Sequence, residues 1–183
     1  MATEADAALD QLEQLQLPDG AWPWWSGMAP SPYITQHIAS GLVRMLERDV
    51  LQGAQRERAL ALTSAAVRWA DSWYAKELSR WRAEHPAEPL PGISALHVHY
   101  LHLRGRFREV PFSADANGVR TWLLEAAERQ WVSLSLQEQA LLTVAFHRLD
   151  RVDAAQAVLR SLRERATRSP ELGMYWKGFR GGM

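Results

Sequence analysis

Three histidines crowd the stretch His97-Val98-His99-Tyr100-Leu101-His102, the best candidate for a metal site in the chain. On a helix His99 and His102, three apart, share a face, whereas His97 and His99, two apart, do not. No carboxylate nearby in sequence completes a ligand set, so structural or surface histidines are the stronger reading and no metal is expected. A second candidate is aromatic. Trp22, Trp24 and Trp25, followed by Tyr33, form a possible platform for a sugar or a peptide. The opposing reading is packing, because large indoles are costly to leave in water. On that reading the tryptophans cover a neighbouring helix end and lock their loop there. His37 opens an amphipathic helix and reads as a cover for the same loop.

Other chemistries lack their residues. Acid–base catalysis needs paired carboxylates, and Asp19, Asp49, Asp71, Asp115, Asp150 and Asp153 are scattered. There is no Asp-Asp-x-x-Asp or Asp-x-Asp-Asp run, no Gly-x-Ser-x-Gly elbow and no phosphate loop. The chain has no cysteine, which excludes disulfides, thiolate metal sites and cysteine nucleophiles within it. No catalytic residue and no cofactor is expected. Lys plus Arg and Asp plus Glu number 21 each, so bulk charge suggests neither nucleic acid nor an anionic membrane. Arg160, Arg163, Arg165 and Arg168 stand beside acids at helical spacing and read as a solvated face. No apolar run is long enough to span a bilayer. Met1-Ala2-Thr3-Glu4-Ala5-Asp6 lacks the basic-then-apolar pattern of a signal peptide.

The elements that would position these residues are helical. Apolar spacings of three and four dominate and period-two alternation is absent, so no strand is expected. A first helix runs from Ala5 to about Gln16 and ends before Pro18. Pro18-Asp19-Gly20 is a turn: Pro presets φ, Asp bonds backbone ahead of it, and Gly takes positive φ. The loop Leu17–Pro32 carries the tryptophans. The next helix is expected from near Thr35, with Ile34, Ile38, Leu42, Met45, Leu46 and Val50 as its stripe. A long helix follows over about Gln55–Trp81, broken by the proline-rich stretch His85–Gly92. Further helices are expected over Ser94–Leu103, Asp115–Trp131 and Leu136–Leu149, and a last one after a short link at Asp150–Val152, through about Arg168. Ser135 and Glu138 have capping-box spacing. Leu141, Val144, Ala145 and Leu149 are expected inward on one helix, and Ala155, Val158, Leu159, Leu162 and Ala166 on the last. The reading is therefore all-α: antiparallel helical hairpins in one domain over residues 1–183.

Several separated segments share a resemblance. Gln16-Leu17-Pro18-Asp19-Gly20-Ala21-Trp22-Pro23-Trp24-Trp25 and Tyr33-Ile34-Thr35-Gln36-His37-Ile38 resemble two motifs of the thioester-domain region of bacterial α2-macroglobulin-like proteins. Tyr100-Leu101-His102-Leu103-Arg104 is similar to a Tyr-Leu-Tyr-x-Arg segment of that family. Glu171-Leu172-Gly173-Met174-Tyr175-Trp176-Lys177 is similar to a further loop. Ala21 stands for a usual Gly and Trp25 for a usual Phe. The resemblance implies an α/α toroid within a large protease-trapping (endopeptidase inhibitor) protein of the bacterial cell envelope or periplasm. A full ring takes more helices than the seven read here, so the resemblance implies a fragment of a larger domain. Its partners would be other domains of the same parent and, through the parent, proteases. Self-association of the isolated piece is a further expectation. The family's Cys-x-Glu-Gln thioester cannot lie in this chain: Glu138-Gln139 occurs, but Leu136 stands where the cysteine would be.

Two rival readings stay open. A helical-repeat interaction module is suggested by the hairpin Leu136–Arg168, though helix lengths vary and no fixed period runs through the chain. A carbohydrate-active α/α barrel would need two acids converging near the tryptophan loop.

Overall fold

The computed structural model describes residues 4–177. It is all-α apart from one small hairpin: α1 (Glu4–Leu15), α2 (Pro32–Glu47), α3 (Gly53–Glu84), α4 (Ala95–Arg106), α5 (Ala114–Gln130), α6 (Leu136–Arg148) and α7 (Val152–Glu164). A single 3-10 turn, Trp131–Ser133, joins α5 to the α6 cap.

Local chemistry sets the ends. Ser31, not Thr35, caps α2, its hydroxyl accepting the Ile34 N–H, and Pro32 takes the first turn, where its missing N–H is harmless. Thr35 is spent elsewhere, as shown below. The Ser135–Glu138 capping box forms: Ser135 N–H donates to Glu138 Oε2 at 2.7 Å and Glu138 N–H to Ser135 Oγ at 3.2 Å. Helix α3 has 32 residues and would reach about 48 Å; no proline interrupts it until Pro86 stops further growth.

Helices alternate between two rows. In one row α3 packs against α1 and α5; in the other α4 packs against α2 and α6. Successive pairs α2–α3, α4–α5 and α6–α7 cross-link the rows as hairpins. Two hydrophobic clusters fill the space between. Tyr74, Tyr100, Leu123, Leu142 and Phe146 lie in the larger, and Trp22, Leu42, Val67, Leu103 and Phe107 in the smaller.

Helix α7 ends at Glu164 rather than near Arg168, because the chain turns into an antiparallel hairpin, β1 (Thr167–Ser169) and β2 (Gly173–Tyr175). These strands, absent from the sequence reading, are too short for period-two alternation to register. Gly173 at φ +70 permits the reversal, and Trp176 pins the hairpin to α7 by donating to Leu162 O at 2.8 Å. Gly178–Met183, the end of the expected tail, lie outside the described residues. Three expected inward residues face water instead: Val50, beyond the end of α2, Val144 and Leu159. Ala166 is half-buried beyond α7. No helix among the described residues is long and apolar enough to cross a membrane.

Candidate functional site

The Pro18-Asp19-Gly20 turn is a joint between three elements. Gly20 N–H donates to Leu17 O at 2.9 Å and Leu17 N–H to Ala21 O at 2.8 Å, closing the reversal. Gly20 has φ +96, and a β-carbon there would stand 2.6 Å from Ala65 O of α3. Glycine is therefore required twice, for its φ and for the close approach. Gln16 Nε2 donates to Gly20 O at 2.9 Å and to Leu62 O at 3.0 Å, tying the turn to α3. Asp19 Oδ1 accepts the Ala21 N–H at 3.2 Å, as an Asp in this turn is expected to do, and Oδ2 accepts the Trp69 indole N–H at 3.0 Å. Trp22 is 1% exposed, and its indole N–H caps Leu12 O of α1 at 2.9 Å.

Beyond Trp22 the loop parts from the packing expectation. Trp24 is 52% and Trp25 68% exposed, so of the three tryptophans Trp22 alone locks the loop. Thr35 explains how the rest stays fixed. Its hydroxyl accepts the Trp22 N–H at 2.9 Å and donates to Trp22 O at 3.3 Å. Ser31 N–H also donates to Trp22 O at 3.0 Å, and Pro23 and Pro30 form an isolated antiparallel bridge. The tip is thus held at its base and presents its side chains outward.

Those side chains form a staircase. Trp25 stacks on Trp24 at 6.0 Å between centroids, Trp24 on Tyr33 at 5.6 Å, and Tyr33 on His37 at 6.0 Å, with planes 29°, 12° and 17° apart. Tyr33 and His37, one turn apart on α2, are both exposed. His37 therefore ends an open ladder and does not cover it.

A buried polar cluster was missed by sequence reasoning. Tyr100 donates its hydroxyl to Asp71 Oδ1 at 2.8 Å. Arg104 Nε lies 3.1 Å from the same oxygen, as an ion pair not aligned into a hydrogen bond. Arg104 is 1% exposed; its Nη atoms donate to Phe107 O at 3.1 Å and Val110 O at 3.0 Å, and Phe112 lies under the guanidinium at 3.8 Å. Burial pushes the Asp71 carboxyl upward, with Arg104 and Tyr100 opposing. The signal was present: Tyr100 and Arg104 are four apart, so one face of α4 offers both to one acid. Nearby, Gln36 donates to Tyr74 Oη at 2.8 Å, and that hydroxyl donates to Leu96 O at 3.1 Å. Asp71 borders an open cleft of about 760 Å³ with Arg68, Ser72, Lys76, Phe112 and Asp115. None of the loop's aromatic residues lines that cleft.

The histidines do not gather a metal set: among the described residues no three His, Cys, Asp or Glu side chains are placed to hold an ion. His97 accepts the Ser94 N–H on Nδ1 at 3.0 Å, and burial lowers its pKa to about 4. His102 is also lowered to about 4, by burial first and then by Arg106, His99 and Arg44. Gln139 is buried, donating to Leu134 O at 2.8 Å and accepting from Arg165, which gives the Glu138-Gln139 pair a local structural role. Against protein-family models, curated proteins and solved structures, the chain has no match.

Proposed function

We propose that this chain is a non-catalytic, structural part of the toroidal thioester-type domain of a bacterial α2-macroglobulin-like protease-trapping protein, with no thioester of its own. The observation that carries the reading is the joint at Gln16, Asp19, Gly20 and Trp22. Gln16, Asp19, Gly20 and Trp22 of the resembling motif spend their side chains, or for Gly20 the lack of one, on joining α1, the turn and α3. The alternation of helices between two rows supports a toroidal arc. Tyr100 and Arg104, the matching positions of the Tyr-Leu-Tyr-x-Arg segment, likewise serve one buried acid. The contacts of such a domain are other domains of its parent, and proteases through the parent, in the periplasm or cell envelope.

An antibody raised against this chain tests the reading. The expected result is a polypeptide several times larger than 20.8 kDa in the envelope fraction. Incubated with an endopeptidase, that polypeptide should suppress cleavage of large protein substrates while small peptide substrates are still cut. A band near the size of the chain in the soluble fraction, with no effect on proteolysis, overturns it.

A free-standing interaction module is the second reading, favoured by the exposed staircase on a fixed loop. The carbohydrate-enzyme reading has less support. Asp71 is committed to Tyr100 and Arg104, and its cleft holds none of the loop's rings.

A further inference from the structure

We propose that the cleft between α3 and the start of α5 is a binding site for a small hydroxylated carboxylate, of the sugar-acid class. This stands on the cleft itself and does not depend on the parent protein proposed above.

One atom on the cleft wall comes first. Asp71 is 6% exposed and borders the cleft. Both of its internal contacts fall on Oδ1, from the Tyr100 hydroxyl at 2.8 Å and from Arg104 Nε at 3.1 Å. Among the described residues Oδ2 receives no hydrogen bond, and it is not sealed from solvent. A nearly buried carboxylate thus keeps one acceptor for a space of about 760 Å³, within the size range of small-ligand sites. An occupant that displaces water from this oxygen must bring it an O–H or N–H, or the acceptor is left unmatched.

Charge decides what else the occupant carries. Arg104 balances Asp71 within the fold, so Oδ2 suits a neutral donor. The charges remaining on the lining are Arg68, Lys76 and Asp115, one positive charge in excess. Arg68 and Lys76 are exposed and have no ion pair among the described residues. Arg68, Ser72 and Lys76 follow one another at intervals of four on α3, so the two cations flank Ser72, the chain neighbour of Asp71. They start about 12 Å apart along the helix axis, a gap that two long side chains close. A carboxylate laid over Ser72 takes both cations, while hydroxyls of the same molecule meet Asp71 Oδ2 and the Ser72 hydroxyl.

Other small occupants lose a contact. A simple carboxylate such as acetate offers Oδ2 no donor. An organic cation meets Arg68 and Lys76 as like charges. A neutral sugar leaves both cations unused.

The test titrates the full 183-residue chain with sodium glucuronate, followed by calorimetry and by backbone amide resonances. Saturable binding should move the resonances of Ser72, Lys76 and Ser113 and leave those of Trp24 and Trp25 in place. Glucose, which lacks the carboxylate, and acetate, which lacks the hydroxyls, should each bind about tenfold or more weakly. Arg68→Met and Lys76→Met should each weaken glucuronate severalfold, with melting temperatures unchanged because both side chains are exposed. Ser72→Trp, which fills the cleft from an exposed position, should abolish binding in a chain that stays folded. No saturable binding, glucose or acetate binding as tightly as glucuronate, or full affinity in Ser72→Trp overturns the proposal. So does binding of acetyl-trialanine at the same resonances with none of the glucuronate, which would make the cleft a site for a peptide C-terminus.

Discussion

Trp69 donates its indole N–H to Oδ2 of Asp19 at 3.0 Å, joining the middle of α3 to a turn fifty residues earlier. The bond is exposed, but it acts with a second one inside the turn, from Ala21 N–H to Oδ1. One carboxylate therefore shapes the turn and moors it. Asp19→Ala removes both bonds and should cost about 1–2 kcal/mol. Trp69→Phe should cost less, because its ring still stacks beside Trp73. A double-mutant cycle by urea denaturation should give a coupling above about 0.5 kcal/mol; strictly additive losses would dismiss the mooring role.

Gly20 admits no side chain. In Gly20→Ala the new carbon meets the Ala65 carbonyl at 2.6 Å, and the residue keeps a positive φ. The expected loss is about 3 kcal/mol or more, read as a lowered denaturation midpoint. A wild-type midpoint would refute the joint.

Arg104 and Asp71 should be unequal under mutation. Arg104→Met strands a buried carboxylate and frees two backbone carbonyls, a loss of about 3–5 kcal/mol. Asp71→Asn leaves a neutral acceptor for Tyr100 and should cost less. Equal losses in chemical denaturation would show that the ion pair is not the controlling element.

Acid should weaken the fold through His97 and His102. Both have folded-state pKa values lowered to about 4, below the unfolded value near 6.5. Below that unfolded value the unfolded chain gains protons that the native state refuses, so stability falls as pH drops from about 6.5 toward 4. His97 contributes as much as about 3 kcal/mol to this decline. Its Nδ1 is the acceptor for Ser94 N–H, a bond that protonation destroys. In His97→Gln the melting temperature should fall less steeply across this window than in wild type. An unchanged slope would place the acid sensitivity elsewhere.

The joint was legible because each of its signals is local. Proline, aspartate and glycine dictate a turn through their own backbone preferences, and Ser135 with Glu138 forms a cap within four residues. The start of α2 was misplaced because Ser31 and Thr35 are both good caps by type. What separated them was the use of Thr35 by Trp22, a contact thirteen residues back. The strands after α7 escaped because three-residue segments carry too little period to read.

Trp24 and Trp25 mark the boundary between the two kinds of information. Composition and periodicity determined by themselves that the chain is helical, where its main breaks fall and that Gly20 must turn, since these follow from backbone sterics and the spacing of apolar residues. Only the tertiary structure decided which tryptophan is buried and which two are displayed. Three identical side chains have identical transfer energies; the Pro23–Pro30 bridge and the Thr35 hydroxyl decide which one faces the core. The same holds for Asp71, whose partners Tyr100 and Arg104 become neighbours only when α4 packs into the core beside α3.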